Sequence, residues 1–246
     1  MKVFLRALFG VSALAILITA APVLAAEVDV TGENVDTGAD SDNDNDFDID
    51  SEVELDVDND GDTEIVVAPG AGAGPQVRIF DHSGNVENQF FAYSEHIRTG
   101  MYVTTGDVTG DGTADIVTST MEGAGPQVRV FDSEGNVISQ FMAYADTYRN
   151  GFRVALGDVN GDGTDEIIAV PDQNAGPQIR VFNYQGNVLA SFFAYAETIR
   201  GGYNATTGDV NGDNVADILI TPKAGLGPQV AMFTGTGTLI NRFFAY

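Results

Sequence analysis

The chain has 246 residues, no cysteine or tryptophan, and 36 acidic against 11 basic side chains, a formal charge of −25. Without cysteine there are no disulfides and no thiol chemistry, so stability has to come from packing or from bound metal. The carboxylate excess repels nucleic acid and anionic membrane surfaces, which excludes both as partners, and it attracts cations.

Residues 1–26 read as a signal peptide. Lys2 and Arg6 supply the positive start, an apolar run over 7–21 follows, and the small residues Val23 and Ala25 suit cleavage after Ala25 or Ala26. A retained anchor helix would need about 20 apolar residues, more than this run offers. The expected location is secreted or cell-surface. Loss of Lys2 and Arg6 takes the net charge to about −27. Residues 27–46 read as a disordered acidic linker: no Lys or Arg occurs from Glu27 to Glu64, and Asp40, Asp42, Asp44 and Asp46 alternate with small polar residues. Those alternating carboxylates would also suit an extra calcium site, but the glycine that would fold them round one ion is missing.

From residue 47 the chain repeats every 51 residues, four times. Asp56, Asp107, Asp158 and Asp209 keep that interval, as do the Gly-Pro-Gln triplets at Gly74, Gly125, Gly176 and Gly227 and the tyrosines Tyr93, Tyr144, Tyr195 and Tyr246. The units span about 47–97, 98–148, 149–199 and 200–246. In the third unit, the run from Phe152 to Leu156 leads into an acidic loop. A short apolar run from Glu166 stops at Pro171, Gln178 to Phe182 alternates, and a last run passes through Phe192 and Phe193. Short β-branched and aromatic runs bounded by Gly, Pro, Asn and Asp are strands, so the fold is all-β with four antiparallel strands per unit. A four-stranded unit of this length is one blade of a β-propeller, and blades must stack to bury both faces. Phe90, Phe141, Phe192 and Phe243, with Ile65, Ile116, Ile167 and Ile218, are the expected inter-blade packing. The alternative reading of the aromatic stripe is a sugar platform. The first strand of the first unit departs from the pattern: Val53 and Leu55 alternate in the opposite sense unless the register slips. Because the chain ends on the repeat boundary at Tyr246, a closed four-blade ring is expected first; an open arc and half of a dimeric eight-bladed ring are the alternatives.

Each unit carries one acidic loop with oxygen side chains at positions 1, 3, 5 and 9. They are Asp56, Asp58, Asp60 and Glu64; Asp107, Thr109, Asp111 and Asp115; Asp158, Asn160, Asp162 and Glu166; Asp209, Asn211, Asp213 and Asp217. Position 7 (Asp62, Thr113, Thr164, Val215) would add its backbone carbonyl. Calcium takes six to eight oxygens, and alternate residues of a tight loop converge on one point. Position 6 must turn sharply, which Gly61, Gly112, Gly163 and Asn214 permit. An EF-hand would close with a Glu at position 12 on a helix. Position 12 here is Val67, Thr118, Ala169 and Ile220, within a strand, so that reading fails. A plain Asp/Asn/Gly turn would explain one loop, but not the same oxygens four times over. The first loop has four carboxylates at these positions and each other loop three. About four Ca²⁺ would bring the charge from about −27 to about −19.

At these residues the chain resembles the FG-GAP/VCBS repeat family, the calcium-loop propeller repeats of integrin α-subunit heads and many exported bacterial proteins. The stretch 157–166 with its three counterparts, and 125–131 with its own, carry the resemblance over 47–246. It implies a propeller with Ca²⁺ held at loop positions 1, 3, 5, 7 and 9. It also implies loops that support structure while ligands bind the opposite face. Integrin heads have seven blades and this chain has four, so closure and ligand face do not transfer.

The function expected is an exported calcium-binding repeat protein, a binding, adhesion or structural module for an extracellular protein or carbohydrate, with a homodimer among the possible states. The alternative is a calcium-dependent lectin. It would use Gln76, Gln127, Gln178 and Gln229 with Arg78, Arg129 and Arg180, residues otherwise read as turns and as counter-charges to nearby acids. Hydrolysis has least support: the histidines, His82 and His96, both sit in loops of the first unit, and no catalytic acid/base pair stands out.

Overall fold

A computed structural model describes residues 49–246 except 59 and 224–226. The signal peptide and acidic linker read from the sequence lie outside the described residues. The chain forms four sheets, each a four-stranded antiparallel meander. Blade 1 holds β1 (Ile49–Leu55), β2 (Glu64–Pro69), β3 (Gln76–Phe80) and β4 (Val86–Phe91). Blade 2 holds β5 (Met101–Gly106), β6 (Asp115–Thr120), β7 (Gln127–Phe131) and β8 (Val137–Met142). Blade 3 holds β9 (Phe152–Gly157), β10 (Glu166–Pro171), β11 (Gln178–Phe182) and β12 (Val188–Phe193). Blade 4 holds β13 (Tyr203–Gly208), β14 (Asp217–Pro222), β15 (Gln229–Phe233) and β16 (Leu239–Phe244). No helix occurs among the described residues.

Both faces of the second strand are buried in the two middle blades. Every residue of β6 and of β10 is buried, as sheets stacked face to face require. The first strands β1, β5, β9 and β13 pack against one another in chain order and line the inside of the curve. β1 pairs with β2 in the register of the other blades at its loop end, with Leu55 opposite Glu64 as Gly106 is opposite Asp115. A bulge lies at its other end, between Ile49 and Ser51, so no register slip reaches Val53 and Leu55 and their opposite alternation stands.

The three junctions between blades are built alike. Phe90, Phe141 and Phe192 lie against Phe131, Phe182 and Phe233 of the following blade at ring-centroid distances of 4.8, 4.9 and 4.8 Å. Tyr93, Tyr144 and Tyr195 donate their hydroxyls to the main-chain carbonyls of Gln127, Gln178 and Gln229 at 2.9, 3.0 and 2.8 Å. The first phenylalanine and the tyrosine of the stripe are thus inter-blade core, whereas its second phenylalanine is exposed, at 49% in Phe91 and 46% in Phe193. Arg129 and Arg180 donate back to the carbonyls of Ala92 and Ala143 and lie over the Phe131 and Phe182 rings. They therefore tie blades together, where the sequence reading had them neutralising acids. In blade 4 Ala231 replaces that arginine, and Arg242 from β16 bonds the Ala194 carbonyl instead, at 2.6 Å.

A closed four-blade ring is not what forms. Like junctions impose like rotations, and after three of them β13 makes no packing with β1 comparable to that between consecutive first strands among the described residues. Ile65 and Phe243, expected at junctions, instead lie on the two open end faces. The architecture is an open arc of propeller blades.

Candidate metal centres

The acidic loops join the first and second strands of each blade, so all four emerge on one side of the arc. Left-handed turns shape them. Position 6 has φ of 97°, 88° and 90° at Gly61, Gly112 and Gly163, and 65° at Asn214. The sequence reading had missed a second, at position 4, where Gly110, Gly161 and Gly212 have φ of 80°, 79° and 84°. Consecutive backbone N–H groups are thereby aimed at the position-1 carboxylate. Asp107 accepts from Gly110, Asp111 and Gly112 at 2.6, 3.1 and 2.9 Å; Asp158 and Asp209 repeat the arrangement. Asp56 accepts from Gly61 at 3.1 Å.

Position 5 accepts the N–H of position 7 at 2.9 Å in every loop: Asp60 from Asp62, Asp111 from Thr113, Asp162 from Thr164, Asp213 from Val215. The Thr113 and Thr164 hydroxyls also bond these carboxylates and hold Asp111 and Asp162 below the ordinary aspartate value. Position 9 is the buried one. Glu64, Asp115, Glu166 and Asp217 are each at most 2% exposed and accept the N–H of position 2 (Val57, Val108, Val159, Val210) at 2.8–3.1 Å. Burial raises all four carboxyls, Glu166 to about 7 with the charge of Asp162 adding to the effect. A carboxylate kept in such a place at neutral pH requires a positive partner.

The loops differ at position 3. In the first, Asp56, Asp58 and Glu64 each present an oxygen within 4.8 Å of the others, the one such acidic cluster among the described residues. In the second, Thr109 Oγ1 is buried beside Asp111 and Asp115 without a hydrogen bond of ordinary geometry. In the third, the Asn160 amide donates to Asp162 at 2.9 Å and to Glu166 at 2.6 Å; in the fourth, Asn211 donates to Asp217 at 3.1 Å. Gathered carboxylates, an orphaned hydroxyl and amides able to turn their oxygens inward make a donor set that fits a hard, oxygen-seeking cation.

Neighbouring loops also touch. The N–H of Asp165 donates to the carbonyl of Asp107 at 2.8 Å, and that of Ala216 to the carbonyl of Asp158 at 2.9 Å. Asp165 sits between two loops, where burial and then the charges of Asp107 and Asp158 raise it to about 6.

Away from the loops, at the opposite ends of the same strands, Asp172 is 1% exposed in its side chain and bridges three blades. It accepts from Tyr102 at 2.8 Å, from Arg153 at 3.4 Å and from Lys223. Burial alone would raise Asp172, but Lys223, Tyr102 and Arg153 outweigh it and hold the carboxyl below its ordinary value. Sequence reasoning missed this cluster. Its signal was a break in the repeat: Met121, Asp172 and Lys223 occupy one repeat position, 51 residues apart.

A family model described as an FG-GAP-like repeat matches residues 56–118 and 158–220, each match starting on a position-1 aspartate. The chain belongs to the FG-GAP-like repeat family. Among solved structures, this FG-GAP-like chain is similar to the exotype rhamnogalacturonan lyase YesX at 14% identity and a TM-score of 0.53, covering 80% of this chain and 49% of that one. It is similar to a Bacillus licheniformis rhamnogalacturonan lyase at 14% and 0.52, covering 80% and 51%. BBS1N, solved in complex with ARL6DN, matches at 8% and 0.51, covering 79% and 57%. The chain spans about half the length of these structures, and at such identities the likeness is one of fold alone. No curated protein matches the chain.

Proposed function

We propose that this FG-GAP-like chain is an exported calcium-binding module for adhesion or another binding or structural role, holding about four Ca²⁺, one per blade. The observation that carries this reading is the convergence of Asp56, Asp58 and Glu64 in a loop whose oxygen-bearing positions recur three more times. The ligand positions are 1, 3, 5, 7 and 9 of each loop. Bound there, Ca²⁺ supplies the positive charge that the buried position-9 carboxylates require and pins the first strand of a blade to its second. Export is supported by the composition of residues 1–26.

The chain is read as non-catalytic. His82 and His96 are exposed loop residues, and this reading assigns the loop carboxylates to Ca²⁺. The lyases share the fold alone. For a carbohydrate ligand less is left free: Arg129 and Arg180 are engaged at junctions, and Gln127 and Gln178 bond Gln140 and Ser191 of their own blades.

Calorimetric titration of the chelated chain with CaCl₂ tests the reading. The expected result is about four sites with Kd of roughly 10⁻⁴–10⁻³ M, the first loop tightest. Absence of binding heat together with a melting temperature indifferent to chelator would sink it. A glycan array run with and without calcium decides the lectin alternative.

A further inference from the structure

Every junction in the arc is directional. A trailing face supplies a phenylalanine and a tyrosine; the leading face of the next blade supplies the ring they pack on, the carbonyl they bond and an arginine that reaches back. The phenylalanine also fills a fixed space over the turn before the fourth strand. A Cβ on Gly135, Gly186 or Gly237 would come within 2.5, 2.5 and 2.4 Å of Phe90, Phe141 and Phe192.

The two ends of the arc are the two halves of this same junction. On blade 4 the trailing half is complete but uncovered. Phe243 is 39% exposed, and Tyr246 is 79% exposed where its counterpart Tyr195 is 8%. Leu219, Val230 and Met232 are partly exposed where Ile168, Ile179 and Val181 are buried. On blade 1 the leading half is complete but uncovered by any of the described residues. Ile65, Val67 and Phe80 are partly exposed where Ile116, Thr118 and Phe131 are buried. Arg78, the counterpart of Arg129 and Arg180, is exposed and bonds Gln76 of its own strand. At Gly84, the counterpart of Gly135, nothing lies within 4 Å of the Cβ position.

We propose that the partner of these faces is a second copy of this chain, the trailing face of each copy docking on the leading face of the other to close a two-chain ring of eight blades. The match is a continuation of a junction already made three times, and it removes two apolar faces from water. Phe243 would fill the space over Gly84, Tyr246 would take the place of Tyr195, and Arg78 would reach the Ala245 carbonyl. A head-to-tail contact of this kind either closes into a ring or grows without end. Four blades do not close here, propellers generally have four to eight, and a third copy would exceed that range. Two copies are therefore the closed assembly.

Sedimentation equilibrium of the purified chain in calcium and moderate salt tests this, with the mass of two chains expected. Phe243→Asp places a charge on the trailing face without touching a buried position, and Arg78→Glu does the same on the leading face. Each alone should weaken pairing at least about 100-fold while leaving the melting curve of the single chain unchanged. Mixing the two variants should restore a two-chain species, because one of the two junctions is then free of substitutions. A chain that stays monomeric at about 100 μM, a dimer indifferent to both substitutions, or a mixture that fails to pair would each overturn the proposal. Open-ended growth would overturn ring closure.

Discussion

The first and third acidic loops share their spacing, the N–H bond from position 6 to the position-1 aspartate and the buried glutamate at position 9, and they differ in what occupies position 3. Asp58 brings a third carboxylate within 4.8 Å of Asp56 and Glu64 and has no proton to offer them. Asn160 stands in the same place and donates to both Asp162 and Glu166. The third loop thus satisfies part of its own negative charge with an amide, whereas the first gathers three carboxylates with no amide at position 3. If Ca²⁺ binds as proposed, the first loop should depend on it more than the third.

Chelation separates the two loops most strongly. Calcium at a hundredfold excess over Kd stabilises the folded chain by about 2.7 kcal/mol per site. Thermal melting should show a large loss in chelator, with hydrogen exchange rising first around the 56–64 loop. Equal exchange in all four loops would erase the contrast.

Asp172→Asn is the control that calcium must not touch. It leaves Lys223 and Arg153 without their shared carboxylate, at a cost of about 2 kcal/mol, since both cations keep part of their hydration. The loss should be the same with and without calcium. A loss seen only in calcium would mean that the loops and this cluster are coupled.

Exchanging position 3 sharpens the comparison further. Asn160→Asp should tighten calcium binding at the third loop about tenfold, or about 1.4 kcal/mol, and lower the melting temperature in chelator. Asp58→Asn should do the reverse at the first. Calorimetry that finds both affinities unmoved would remove position 3 from the ligand set.

The last test is pH. The folded chain holds the Glu166 proton more tightly than the unfolded chain, where the carboxyl has its ordinary value of 4.5. In chelator, stability should therefore fall as pH rises from about 4.5 to about 7 and level off above. Calcium should abolish that decline, because its affinity grows as the ligands lose their protons. Glu166→Gln should flatten the curve in chelator.

Most of the strands, the repeat register and the loop oxygens were legible in the sequence, because each is written locally: alternation, a turn residue, a spacing. So were the junction residues Phe90, Phe141 and Phe192, which recur with the period. What was not legible depends on distance in space. Whether the arc closes is a sum of small rotations that no single residue encodes. Arg129 resembles a counter-ion in sequence, but its nearest acceptor is a carbonyl 37 residues earlier. The Asp172 cluster draws from three blades and so leaves no local motif, only a break in the repeat. Likewise the position-4 glycines looked like ordinary loop residues, although their left-handed backbone is what turns successive N–H groups toward one carboxylate.

The tyrosine latches imply a particular response to pulling. Each of the three joints is fastened by the same phenol-to-carbonyl bond and the same ring pair, and the Asp172 cluster adds a clamp over blades 2, 3 and 4 that the first joint lacks. Tension applied to the two termini would peel the arc from its ends, one blade per event. Each event would release 51 residues, about 180 Å of slack. A chain that yields blade by blade, the first joint before the others, absorbs force that would snap a single rigid body.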